Sequence, residues 1–168
     1  VSTWTILRAH TRADGAVVRI ERSEASRWQV SVRRGSARIG APTQWPPAPL
    51  GRDLSHDILA TFLARSIEPM VLPAELAAAL AAVRAEVTYA PDESRLLDIE
   101  LEQGNAKRIV RALGLLAARQ RDASVRHRVE AVGMAIWNAR TAALAALPAE
   151  ARALLPLDVP ASATRRAS

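Results

Sequence analysis

Between residues 105 and 147 apolar side chains return every three or four positions, interrupted once. Ala106, Val110, Leu113 and Ala117 fall at spacings of four, three and four. After a polar break at 121–124 the rhythm resumes through Val125, Val129, Val132, Ile136, Ala139, Ala143 and Leu147. A repeat of this kind places one carbon-rich stripe on each of two helices, so the pattern predicts an antiparallel αα-hairpin zipped along those stripes. Gly114 and Gly133 stand at comparable distances from the bend. A glycine inside a helix costs about 1 kcal/mol against alanine, and the pair either permits a close helix approach or is incidental.

The first forty residues follow a different period. Trp4, Ile6 and Arg8, then Val18 and Ile20 with Arg19 and Glu21 between them, then Trp28, Val30 and Val32, alternate between turn signals at Asp14-Gly15 and 23–26. Gly35-Ser36 turns the chain into a short fourth segment at 37–39. Alternation of this sort predicts an antiparallel β-meander with one apolar face, which needs helices to cover it. Its other face would carry Arg19, Arg27, Arg33, Arg34 and Arg38 with Glu21 and Glu24. The plain reading is a solvated face with Trp4 and Trp28 in the core. The functional alternative is a nucleic-acid surface on which the tryptophans stack bases.

Pro42, Pro46, Pro47 and Pro49 surround Trp45 in a stiff strap over 41–52. Pro46-Pro47-Ala48-Pro49 has the spacing read by aromatic grooves, with Arg52 one place past the usual basic position; otherwise Trp45 simply caps the core. Asp53 or Ser55 is expected to cap a helix through Ile58, Phe62, Leu63 and Ile67 that stops before Pro69. Pro73 opens another, lined by Leu76, Leu80 and Val83. Over 92–104, Leu97, Ile99 and Leu101 alternate with acids as a strand would. Asp92-Glu93 and the Leu, Glu and Gln content argue instead for a helix that ends at Gly104 in a left-handed cap, with Asn105 capping the next. A short helix follows Pro148.

The expected fold class is therefore α+β: a small N-terminal antiparallel β-meander (1–40) packed on a C-terminal bundle of four or five helices (53–155) that contains the long hairpin. The strap joins them in a single domain over 1–155, and 156–168 form a flexible tail with little structure.

Composition narrows the chemistry. The 168 residues include no cysteine, which excludes a disulfide framework, a thiol nucleophile and thiolate zinc sites and suits a reducing, cytoplasmic setting. Aromatics make up 4% and much of the apolar content is alanine, as in closely packed helices. The most membrane-like window, 131–149, holds Arg140, Asn138 and Pro148; a central arginine costs about 2.5–3.5 kcal/mol on insertion scales, so no spanning helix is expected. No secretory leader is apparent before the first charges.

The net charge is +6, and every basic residue but Lys107 is arginine. The charge is divided: residues 1–60 carry +4, residues 61–105 carry −5 and residues 106–168 carry +7. The acidic middle is expected to pack beside the basic hairpin and partly neutralise it; the functional alternative leaves a basic face free for a polyanion.

Catalytic groupings are absent. His10, His56 and His127 are far apart with no metal-protease pairing, and the adjacent Ser55-His56-Asp57 cannot aim at one another as a relay. Asp53, His56 and Asp57 would need a further ligand from elsewhere to hold a metal. No phosphate-binding glycine loop occurs. No catalytic, cofactor-binding or metal site is expected. The strongest cluster surrounds the hairpin bend: Lys107, Arg108, Arg111, Arg119, Arg121, Arg126 and Arg128, with His127 among them. These residues, with Trp45 as a candidate anchor, suit a non-enzymatic accessory or adaptor protein that binds another protein, with self-association as a homo-oligomer a further expectation. The alternative is a nucleic-acid-binding protein that uses the arginine-rich hairpin on phosphate.

Overall fold

The computed structural model describes residues 3–47 and 54–152. Among these residues the fold is α+β: five antiparallel strands followed by six helices. The chain divides into two compact units, one formed by the described residues up to Ile67 together with those from Leu147 onward, the other running from Glu68 to Ala146.

In the first unit, β1 (Trp4–Thr11), β2 (Val17–Ser23) and β3 (Trp28–Arg34) form the expected meander. Gly15 turns the first hairpin at φ +80°, a conformation glycine adopts without steric cost. β4 (Ala37–Arg38) pairs the end of β3. β5 (Thr43–Trp45) pairs its beginning, so the described part of the proline-rich stretch contributes a strand rather than only a strap. Thr43-Gln44-Trp45 favours extended geometry, and Pro42 and Pro46 confine the pairing to those three residues. Residues 48–53, which include the expected cap Asp53, the end of the proline motif and Arg52, lie outside the described residues, as do residues 153–168 and the expected tail among them.

α1 (Ser55–Ile67) covers the apolar face of this sheet: Leu54, Ile58, Leu59 and Phe62 meet Val18, Ile20, Trp28, Val30 and Val32, all buried. Trp28 is core as expected, whereas Trp4 is half-buried on the edge strand. The opposite face departs from the solvated arginine surface. Ile6, Glu21, Gln29 and Gln44 form one cross-strand row. Glu21, 4% exposed, accepts hydrogen bonds from Gln29 Nε2 at 2.6 Å and Ser31 Oγ at 2.8 Å, and Gln44 Nε2 donates to Gln29 Oε1 at 3.1 Å. The central strand thus presents a buried polar network on one side and hydrocarbon on the other.

Arg12 closes the first hairpin. Its guanidinium donates from Nε (3.0 Å) and Nη2 (2.6 Å) to the Asp14 carboxylate and from Nη1 to the Arg65 carbonyl in the last turn of α1, where the helix dipole favours a cation. The paired guanidinium holds the Asp14 carboxyl well below the usual carboxylate range, at about 2.

The second unit holds α2 (Ala74–Glu86), α3 (Glu93–Gln103), α4 (Ala106–Arg119) and α5 (Ala123–Ala145). Residues 93–103 are helical. Gly104 ends α3 at φ +63° and the Asn105 side chain accepts the Arg108 amide, so both expected caps are present. Gly104 is also sterically fixed, since a Cβ there would lie 2.7–2.8 Å from atoms of Pro69 and Met70. The hairpin bends as its sequence implies, and Asp122 caps α5 by accepting the Ser124 and Val125 amides.

Ala106, Leu113, Ala117, Val129, Val132 and Ile136 are buried along the hairpin seam, together with Ile109 and Leu116. Val110 and Val125 lie at its margin. Leu147, the last position of the stripe, falls beyond α5 and belongs to the first unit. α2 packs on α5 and α3 on α4, closing the core from one side. Gln120, just past α4, is buried and clamps the α2–α3 connection: its side chain accepts the Thr88 amide at 2.9 Å and donates to the carbonyls of Thr88 (3.0 Å) and Leu116 (2.9 Å).

Candidate functional site

The acidic middle does pack beside the basic hairpin, and this sorts the seven candidate basic residues into two sets. Arg108 lies 3.7 Å from Glu100 and donates to Gln103 Oε1; Arg119 lies 2.9 Å from Glu93; Arg128 pairs with Glu86. Those three are turned toward α2 and α3. Lys107, Arg111, Arg121 and Arg126 form no salt bridge among the described residues, and all but the half-buried Arg126 are exposed. The seven are neighbours along the chain; the fold separates them by face. Trp45, the candidate anchor, is half-buried against the sheet core in the first unit, and its strand lines a shallow 300 Å³ depression with Trp4, Arg27, Pro46 and Pro47.

On the side of the hairpin away from the α2 and α3 contacts runs a groove of about 560 Å³, lined by Val110, Gly114, Val129, Glu130, Gly133, Met134 and Trp137. Its origin is the pair of glycines. Nothing lies within 4 Å of a Cβ built at Gly114, and one built at Gly133 would meet only Leu113 Cβ, at 3.9 Å. Gly114 therefore does not serve a close approach of the two helices. Its missing side chain leaves a trough between them, floored by backbone.

The walls are unusual for a free surface. Met134 is 61% exposed and Trp137 38%, so two large apolar groups face water side by side at one trough, while Leu96 and Leu115 are exposed beside the separate α3–α4 depression. The Arg140 guanidinium lies 4.8 Å over the Trp137 ring, within cation–π range.

Helical spacing places three cations around this trough. Lys107 stands seven residues before Gly114 on α4, while Arg126, Glu130, Gly133, Trp137 and Arg140 follow a three-and-four spacing on α5; Arg111 instead lines the depression between α3 and α4 with Glu93, Glu100 and Leu115. Among the described residues Glu130 is the acid that lines the trough. The groove does not show in the main stripe because Gly133, Met134 and Trp137 lie outside it. The signal was present: α5 carries bulky apolar residues on more of its circumference than one seam can bury.

No reacting group accompanies the groove. His10 is on β1, His56 at the start of α1 and His127 on the exposed side of α5. Among the described residues no three acidic, histidine or cysteine side chains are grouped to hold a metal, and no helix is long and apolar enough to cross a membrane. Comparison with protein-family models, with curated proteins and with solved structures finds no match for this chain.

Proposed function

We propose that this protein is a non-enzymatic accessory or adaptor protein that binds another protein through the outer groove of its α4–α5 hairpin. One observation carries the reading: a glycine-floored, carbon-lined trough with exposed Met134 and Trp137 at its wall. Methionine and tryptophan are the side chains that adapt to, and anchor, partner surfaces, and a surface of this kind is seldom left without a use. A photo-crosslinking residue placed at Met134 is expected to trap a discrete protein in extract of the native host, with none trapped from a control position at Glu102 on α3. Equal labelling at both positions, or none at Met134, refutes the reading.

The alternative, nucleic-acid binding, draws on Lys107, Arg111, Arg121 and Arg126, which have no ion pair among the described residues. It is weakened by the engagement of Arg108, Arg119 and Arg128 with Glu100, Glu93 and Glu86, which removes three of the seven charges from use on phosphate. Titration with duplex and single-stranded oligonucleotides over a salt series decides it. Four phosphate contacts give a slope of about −3 to −4 in log K against log salt, and reversal of Arg111 and Arg126 should flatten it.

A further inference from the structure

Resting on the docking reading above, we propose that the occupant of the α4–α5 groove is an acidic amphipathic helix of a partner protein, one that sets bulky apolar side chains into the glycine trough and carboxylates toward Lys107, Arg126 and Arg140. Shape argues for a helix. The trough runs between two antiparallel helices, presents no strand edge to extend, and has the small-residue floor that lets a third helix lie close. The hairpin already packs helices elsewhere on its surface, α2 on α5 and α3 on α4.

Charge argues for an acidic occupant. The groove face carries Lys107, Arg126 and Arg140 against Glu130, and none of the three cations forms a salt bridge among the described residues. A second copy of this chain would bring the same surplus of cations against its own, which disfavours self-association through this face. A nucleic-acid strand would meet hydrocarbon where its phosphates need donors, since the polar lining of the trough is the Glu130 carboxylate. An acidic helix satisfies both requirements: carbon in the middle and negative charge along both edges.

The test uses the whole chain and a displayed library of helical peptides about five turns long, randomised on one face and its flanks. Selection is expected to enrich acidic peptides with apolar residues at i, i+4 and i+7. Binding of a synthetic winner, followed by anisotropy, should weaken with added salt. Binding should fall about tenfold or more in Gly114→Leu, which fills the trough, and by a similar factor in the Lys107→Glu, Arg126→Glu double variant. A Cβ at Gly114 meets nothing within 4 Å, circular dichroism checks that Gly114→Leu is folded, and Trp137→Ala gives an independent block.

The possible outcomes separate the occupant from the site. Enrichment of neutral or basic peptides that Gly114→Leu still excludes overturns the acidic occupant and leaves the docking groove standing. A dimer in light scattering that Gly114→Leu dissociates overturns it in favour of a second copy, and displacement of the winner by a duplex oligonucleotide overturns it in favour of nucleic acid. Selection of no peptide sensitive to Gly114→Leu or Trp137→Ala overturns both the occupant and the reading it rests on.

Discussion

Replacing Gly114 with alanine should make this protein more stable. Gly114 is exposed in the interior of α4, with ordinary helical neighbours, and the space its side chain would occupy is empty. A glycine in a helix interior is less favourable than alanine by about 0.8–1.0 kcal/mol, because the unfolded chain loses more freedom on folding. The added methyl group makes no contact within 4 Å, so nothing in the native state offsets that gain. The expected stabilisation is about 0.5–1 kcal/mol, or a rise in melting temperature of about 1–4 °C for a chain of this size. Urea unfolding followed by circular dichroism measures it, with the slope against denaturant unchanged. Gly104→Ala is the matched opposite: φ is +63° and the new Cβ would meet Pro69 and Met70 atoms at 2.7–2.8 Å, so a loss of about 1–3 kcal/mol is expected. If Gly114→Ala lowers the midpoint, the trough is not open, and the docking argument built on its floor loses its foundation.

Other expectations address separate parts of the structure. Ile136→Ala removes a fully buried side chain from the hairpin seam and should cost about 2–5 kcal/mol in urea unfolding, whereas Met134→Ala two positions earlier should change stability by about 0.5 kcal/mol or less. Gln120→Ala leaves the Thr88 amide and carbonyl without their partner and should cost about 1–3 kcal/mol; amide exchange at Thr88 should accelerate with it. Asp14 gives a pH signature. Its folded pKa of about 2 lies below the ordinary value near 3.9, so its contribution is fully present above about pH 4 and is lost as pH falls through about 2. The stability difference between the wild type and Asp14→Asn should therefore shrink across that window, and a carboxyl titrating near 4 by NMR would contradict the Arg12 contact.

The hairpin was legible because its burial is periodic. Ala106, Leu113, Ala117, Val129, Val132 and Ile136 had only to be counted, and Asn105, Gly104 and Asp122 mark its ends with local chemistry that needs no tertiary knowledge. Ile109 and Leu116 fell outside the counted stripe because α4 is clasped by both α5 and α3, which widens its buried arc beyond one seam. The strand at 43–45 was hidden by its prolines, which signal extension but not a pairing partner. The charge sums foresaw that acids from the middle would meet the basic hairpin, but not which cations they would take. That depended on whether each arginine points toward α2 and α3 or away from them. The groove was least legible, since an absence of side chains at Gly114 and Gly133 has meaning only once the two helices lie side by side.

The two unlike sides of β3 bear on how the meander finds a single alignment. Side-chain direction in a strand reverses at every residue, so a shift of β2 by one position would swing the Glu21 carboxylate in among Phe62 and Ile58 and lift Ile20 onto the amide side of the sheet. Any meander with one buried face pays for such a slip by turning its hydrocarbon outward. Here a miswoven sheet also strands a carboxyl group in hydrocarbon and leaves the Gln29 and Ser31 donors idle, which adds to the cost of every wrong alignment.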